Sequence, residues 1–292
     1  MGTRRHLLIA GTGRAGTSAL VQYLNGLGLE THLSRPGGVA DWHDSAQAGF
    51  EDLPLYTNGH DLPYVIKSPL TYQIIDQILN DAKISLDAVL IPIRPLVEAA
   101  ASRSMVQLQA MHQDAGWMTE VATPWEHLAA APGGAIFSVS PVDQARLLAV
   151  GFHWLLERIV QTDVPVVLLS FPRLVTDPDY LFERIRKVLL PVEVPLARAR
   201  EVHAETFNLE KVRAGRELSD NVGAAPERDG FAGSSITALD NMALKRELKQ
   251  LRAELESLRR PGLRRAAARA RKIAGRLRRD LLGRLASSGD RV

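Results

Sequence analysis

The chain has 292 residues, 46% apolar and 24% charged, enough for one substantial core and too much apolar content for wholesale disorder. It contains no cysteine, which excludes disulfide scaffolds, thiol nucleophiles, zinc ribbons and iron–sulfur clusters; its eight histidines show no HExxH or similarly tight pairing, so no metal site is expected. The net charge of +3 hides a split: residues 259–292 carry 12 Lys or Arg against Asp280 and Asp290, a local charge of +10, which leaves −7 on residues 1–258.

The longest apolar runs, such as Leu7 to Ala10, Ala88 to Ile93 and Val164 to Leu169, are too short to span a bilayer or form a signal-peptide core. His6 occupies the position where a myristoylation signal needs Ser or Thr. A cytoplasmic location is the expectation.

In chain order, an apolar strand at His6 to Ala10 runs through a glycine-rich turn into a helix at Gly16 to Leu27. Residues 28–62, rich in Gly, Pro, Asp and His, lack periodicity and read as a long functional loop. A strand at Tyr64 to Lys67, a helix at Leu70 to Asn80, a strand at Ala88 to Ile93 and a helix at Leu96 to Met111 follow. Residues 114–139, with Trp117, Trp125 and the Pro132-Gly133-Gly134 break, form a second irregular stretch, either an acceptor-side wall or a surface insertion. A helix at Pro141 to Gln161, a strand at Val164 to Ser170 and a helix at Asp179 to Leu189 complete the pattern. Short apolar runs alternating with helical ones predict an α/β fold, a mostly parallel sheet wrapped by helices.

Residues 214–235 read as a linker after a domain at 1–213. In the next segment, 236–260, Leu244, Leu248, Leu251, Leu255 and Leu258 recur at spacings of 4, 3, 4 and 3, with Asn241 on the same stripe, a short coiled-coil pattern that either forms a weak homodimer through 241–258 or packs on the body. Pro261-Gly262 breaks that helix, and 261–292 reads as a basic amphipathic helix. It is either a solvated tail or, through 263–285, a peripheral contact with anionic lipid at the inner face of the membrane; without aromatics for base stacking, nucleic acid is not expected as a partner.

The turn after the first strand reads Gly11-Thr12-Gly13-Arg14-Ala15-Gly16-Thr17-Ser18. Strand, glycine-rich turn and helix start bring successive backbone N–H groups to one point, which suits an anionic group. Gly11 and Gly16 have Walker A spacing, but Thr17 stands where that motif needs Lys, and the cation is Arg14, inside the loop. The strand Ala88 to Ile93 ends in Arg94, not in a metal-holding Asp, so the donor expected here needs no metal.

Arg14-Ala15-Gly16-Thr17-Ser18 resembles the 5′-phosphosulfate loop of sulfotransferases that use 3′-phosphoadenosine 5′-phosphosulfate. Arg94 at the strand end, with Ser102 eight residues on, is similar to that family's 3′-phosphate site; an Arg there can fork onto a phosphate while the Ser adds a donor. Pro63 to Pro69, ending its strand in Lys67, looks like the family's second strand, and Phe171 to Pro178 looks like its late strand-loop-helix segment with Asp-Pro. The resemblance covers roughly residues 5–205 and implies a three-layer, P-loop-like parallel sheet. It further implies donor contacts from Gly13, Arg14, Ala15, Gly16, Thr17, Ser18, Arg94 and Ser102, with Arg14 and Lys67 as the cations at the transferring group.

Lys67 is followed by Ser68 and Pro69 where cytosolic members have Lys-Thr-His, so the chain looks closer to bacterial and carbohydrate-type branches, in which a Glu can be the base. The Arg-Lys-Gly donor loop has no clear counterpart, with Lys211, Arg213 or Arg216 as stand-ins. For the base, Glu51 leads, in a Gly49-Phe50-Glu51 context similar to that of related bacterial enzymes; His43 comes second, with Asp41, Asp44 and Asp52 behind. The implied reaction is sulfuryl transfer to a hydroxyl of a glycan, lipid-linked saccharide or small metabolite. The alternatives are a kinase with an altered Walker loop and a non-catalytic coiled-coil adaptor.

Overall fold

A four-stranded, all-parallel sheet organises the chain in the computed structural model, which describes residues 3–11, 13–35, 42–43, 48–52, 62–113, 138–189, 191–212 and 235–259, the side chains of His43, Gln113, Leu258 and Arg259 excepted. The linker expected at 214–235, except its last residue, and the basic helix expected at 261–292 lie outside the described residues, as do most of 114–139 and parts of 28–62.

The strands of this sheet are β1 (Arg4–Ile9), β4 (Val65–Lys67), β5 (Ile84–Ile93) and β6 (Val166–Ser170), in the order β4-β1-β5-β6. A separate antiparallel pair, β2 (Trp42–His43) and β3 (Ala48–Gly49), falls inside the long loop. Leu8 aligns with Ile66 on one side and Val89 on the other, so β1 is central and its apolar run is buried on both faces, as a parallel sheet covered by helices demands.

Helices cover both faces. Leu7, Ile9, Val65, Ala88, Leu90 and Leu169 point to the side of α1 (Thr17–Gly26), α5 (Arg173–Thr176), α6 (Pro178–Ile185) and α7 (Leu196–Thr206). The alternate residues Leu8, Ala10, Ile66, Val89 and Ile91 face α2 (Thr71–Asn80) and α4 (Pro141–Ile159). Helix α3 (Leu96–Gln113) follows β5 and packs along α4.

Several expected boundaries move for identifiable reasons. Strand β5 begins at Ile84, not Ala88, because Asp87 within it accepts from Arg5 Nε at 2.6 Å and from the Tyr64 hydroxyl at 2.8 Å, which settles its charge at the sheet's N-terminal end. The helix expected from Asp179 starts at Pro178, with the Asp177 carboxylate capping it by accepting from Tyr180 N at 2.9 Å, and gives way to a 3₁₀ turn at Arg186–Val188. Helix α7 carries only a short, weak apolar stripe, Leu196, Ala199 and Val202, which His203 completes; the His203 Nε2 donates to the Leu174 carbonyl at 3.0 Å and its ring stacks on Phe207.

The chain divides into two compact units, 1–243 and 244–292. The first unit takes in the opening turns of α8 (Ile236–Arg259), whose Leu239, Met242 and Ala243 bury against Ala101, Met105 and Leu108 of α3. Within the second unit the described residues continue the helix to Arg259. Among the described residues no helix is long and apolar enough to cross a membrane.

Candidate functional site

The C-terminal ends of β1, β4 and β5 lie side by side, so the loop after β1, Lys67 and Arg94 meet at the edge where open α/β sheets bind ligands. The loop turns through Gly13 at φ +68°, Arg14 at +57° and Gly16 at +85°. Gly16 caps α1 in a left-handed conformation while packed on the Phe171 ring, and a Cβ there would be strained. Arg14 has no such freedom, and its backbone is held from outside. Its carbonyl accepts from Arg94 Nη1 at 3.0 Å, and its own Nε donates to Ser102 Oγ at 3.2 Å.

Arg94 is nearly buried, sits 5.0 Å from the centre of the Phe171 ring, and donates from Nε to Glu98 at 3.1 Å. Thr17 and Ser18 are buried in the first turn of α1. Ser18 Oγ donates to the Gly49 carbonyl at 3.0 Å and accepts from Gly49 N and from Lys67 Nζ. Lys67, 2% exposed, donates to that Ser18 at 3.1 Å and to Gly49 O at 2.6 Å, with Glu51 Oε1 at 3.5 Å, so its three N–H bonds face three acceptors. Burial pushes the Lys67 ammonium below the ordinary lysine value, an effect that neighbouring Glu51 opposes and Arg14 reinforces.

Segment 48–52 is therefore a strap across the start of α1. Asp52 N donates to Lys67 O at 2.7 Å, and Lys67 N donates to the Asp52 carboxylate at 3.0 Å, so the strap runs beside the end of β4. Phe50, at φ +62°, turns it, and its ring stacks near Trp42 and His32. This explains the alternation of roles: Asp52 is held by backbone and by His32 at 3.4 Å, whereas Glu51 faces Lys67 and keeps a quarter of its side chain in solvent.

The structure thus brings together Arg14, Gly16, Thr17, Ser18, Arg94 and Ser102 around one loop, and Glu51 with Lys67 at its flank. The backbone of His43 pairs with Ala48 in the small hairpin; its side chain, with Asp41 and Asp44, lies outside the described residues. Lys211 is exposed in the turn Leu209–Lys211, and Arg213 and Arg216 are outside the described set.

Three residues carry contacts that their sequence did not announce. Glu98 follows Arg94 at helical i,i+4 spacing, a signal readable in hindsight. Phe171 supports both Gly16 and Arg94. Arg103 is 1% exposed, with Nη1 about 4.0 Å from where a Cβ on Gly13 would stand, and its Nε donates to Gln144 at 2.8 Å; its signal is the run of buried polar residues on α3 that includes Ser102, Ser104 and Gln107. Beside Arg94, a mainly apolar cavity of about 280 Å³ opens between the end of β5 and α4, walled by Ile93, Leu96, Leu148 and Phe152. Among the described residues no group of three or more His, Asp or Glu is arranged to hold a metal ion.

Comparison of the chain with protein-family models, with curated proteins and with solved structures found no match.

Proposed function

We propose that the chain is a sulfotransferase with a P-loop-like core, moving a sulfuryl group from 3′-phosphoadenosine 5′-phosphosulfate to a hydroxyl of a glycan, lipid-linked saccharide or small metabolite. The observation that carries this reading is the junction at Arg14: its carbonyl receives Arg94, 80 residues away, and its guanidinium reaches Ser102, 88 residues away. Two motifs that resemble the two phosphate sites of one nucleotide are thereby a single piece of structure. In the proposed reaction the N–H groups at the start of α1 and Arg14 take the 5′-phosphosulfate, Arg94 and Ser102 take the 3′-phosphate, and the cavity beside Arg94 offers room for the adenine ring.

The acceptor oxygen forms a new bond to sulfur as the bond from sulfur to the bridging oxygen breaks, and the leaving electron pair stays on the 5′-phosphate. Lys67 offsets the charge developing there, and Glu51, 3.5 Å from Lys67, takes the acceptor's proton. The donor is a substrate, and no metal takes part in the proposed step.

Thermal melts of the full chain with 3′-phosphoadenosine 5′-phosphate, adenosine 5′-phosphate, or ATP with Mg²⁺ test the reading. A ligand at 100 times its Kd adds about 2.7 kcal/mol to stability. The expected result is a rise with the 3′-phosphorylated nucleotide well above the other two. A rise with ATP and Mg²⁺ alone favours a kinase, a rise with none favours an adaptor, and either overturns the proposal. Glu51→Gln is expected to retain nucleotide binding while losing turnover by a factor of roughly 10² to 10⁴, the ordinary range for a general base.

A further inference from the structure

The leucine stripe of α8 has no role in the site. Leu239, Met242 and Ala243 bury on α3, but at about 100° per residue the stripe of Leu244, Leu248, Leu251 and Leu255 lies about 150° around the helix from them. All four leucines are exposed, between 38% and 55%, and Asn241, exposed on the same stripe, precedes them. Four large apolar side chains in one exposed row, on a stretch whose other residues from Lys245 to Ser257 are all polar or charged except Ala253, form a surface that needs a partner.

The charges beside the stripe say which partner. With Leu248 and Leu255 at heptad position a and Leu244 and Leu251 at d, the g positions are acidic, Asp240, Glu247 and Glu254, of which Asp240 is already engaged by His112 of α3 at 2.7 Å, and the e positions are basic, Lys245, Arg252 and Arg259. In a parallel, in-register pair each g position faces the following e position of the other helix, which sets Glu247 opposite Arg252 and Glu254 opposite Arg259. In an antiparallel pair g faces g and e faces e, setting like charges against each other. Asn241 falls at a, where two copies of an Asn can pair only in register. We infer that this stripe joins two copies of the chain as a parallel, in-register, two-stranded coiled coil. Individual surface ion pairs are weak, so the leucines supply the affinity and the charges set the orientation. The inference stands independently of the catalytic reading.

Sedimentation equilibrium of the full chain is expected to show a concentration-dependent monomer–dimer equilibrium. Leu248→Asp and Leu251→Asp change exposed side chains, so the body folds, and each is expected to weaken dimerisation at least roughly tenfold. Because the chain has no cysteine, Leu244→Cys and Leu255→Cys each introduce a single thiol. Under oxidised glutathione both are expected to link to the same residue of the second copy, whereas an antiparallel pair centred between them separates each from its copy by roughly 17 Å. A chain that stays monomeric at every concentration, a dimer that survives the Asp substitutions, or a dimer that cross-links at neither position overturns the inference.

Discussion

Removing Arg94 separates its two jobs. Its Nη1 holds the Arg14 carbonyl at 3.0 Å, which supports the left-handed turn of the loop, and in the proposed reaction its guanidinium also takes the 3′-phosphate. Arg94→Ala therefore weakens every nucleotide through the loop but weakens a 3′-phosphorylated one twice. A hydrogen bond to a charged group contributes about 1.5–3 kcal/mol, so the second loss is roughly 10- to 150-fold in Kd. Titration calorimetry with 3′-phosphoadenosine 5′-phosphate and with adenosine 5′-phosphate, on the natural chain and the variant, gives a double difference in which the loop's share cancels. The expected outcome is a preference for the 3′-phosphate reduced by that roughly 10- to 150-fold, to the small remainder that Ser102 supports, with both affinities lowered. Arg94→Lys keeps the charge but not the fork, so an intermediate preference is expected from a variant with less disturbance to the core. A preference left undiminished by Arg94→Ala refutes the assignment of Arg94 to the 3′-phosphate.

Glu98 competes for the same guanidinium at 3.1 Å with a third of its side chain exposed, so Glu98→Gln is expected to tighten 3′-phosphoadenosine 5′-phosphate binding, and a weaker Kd by calorimetry counts against the shared contact. His6 is buried in β1 with its Nδ1 bonded to the Pro63 carbonyl at 2.7 Å, and burial holds its pKa below the ordinary 6.5. Between that lowered value and 6.5 the unfolded chain binds a proton the folded one does not, so stability rises with pH through this window and falls on acidification, by at most about 1.4 kcal/mol per pH unit; His6→Asn is expected to flatten that slope in urea melts, and an unchanged slope rejects His6 as its source. A Cβ at Gly26 of α1 would stand 2.5 Å from Val202 Cγ1 of α7, so Gly26→Ala is expected to cost about 1–3 kcal/mol and lower Tm by several degrees. Adding Val202→Ala is expected to recover part of that loss, and strict additivity of the two melts argues against the contact.

The elements whose burial is uniform were legible in the sequence: the apolar runs of β1 and β5 sit between two helical layers and read as strands without ambiguity. Helix α7 was not, because its inward face is built from Ala199, Val202 and His203, and a histidine bonded to a carbonyl gives no apolar periodicity. At the site, Arg14 could be singled out as the cation inside a glycine-rich strand-to-helix turn and Arg94 as the Arg standing where a metal-holding Asp would follow β5, whereas Lys67 and Ser102 could be singled out only through the resemblance. The strap could not. Its geometry depends on Phe50 at a positive φ and on Gly49 bonding to Ser18 and Lys67, contacts that link the long loop to two distant elements. Glu98 and Phe171 escaped for a related reason: one is a common helical ion-pair spacing and the other a core aromatic, and only their position against Arg94 gives them a role.

The surroundings of Lys67 tie the two halves of the proposed chemistry together. A buried ammonium with fewer partners than N–H bonds is costly, and here Ser18, Gly49 and Glu51 come from different segments to supply three. An anion that draws a donor from Lys67 must displace one of them. Gly49 O is the shortest contact and belongs to a backbone that Ser18 also holds, so it is the hardest to release. Glu51 is the longest contact and the most exposed of the three, and its carboxylate can move into solvent without breaking the strap. In the proposed reaction, donor binding therefore exchanges Glu51 for the phosphosulfate on Lys67 and leaves the carboxylate beside the transferring group, unpaired and able to accept a proton. In that proposal donor binding and base activation draw on the same ammonium, so a lysine at the end of β4 and a glutamate two residues past β3 act as one unit.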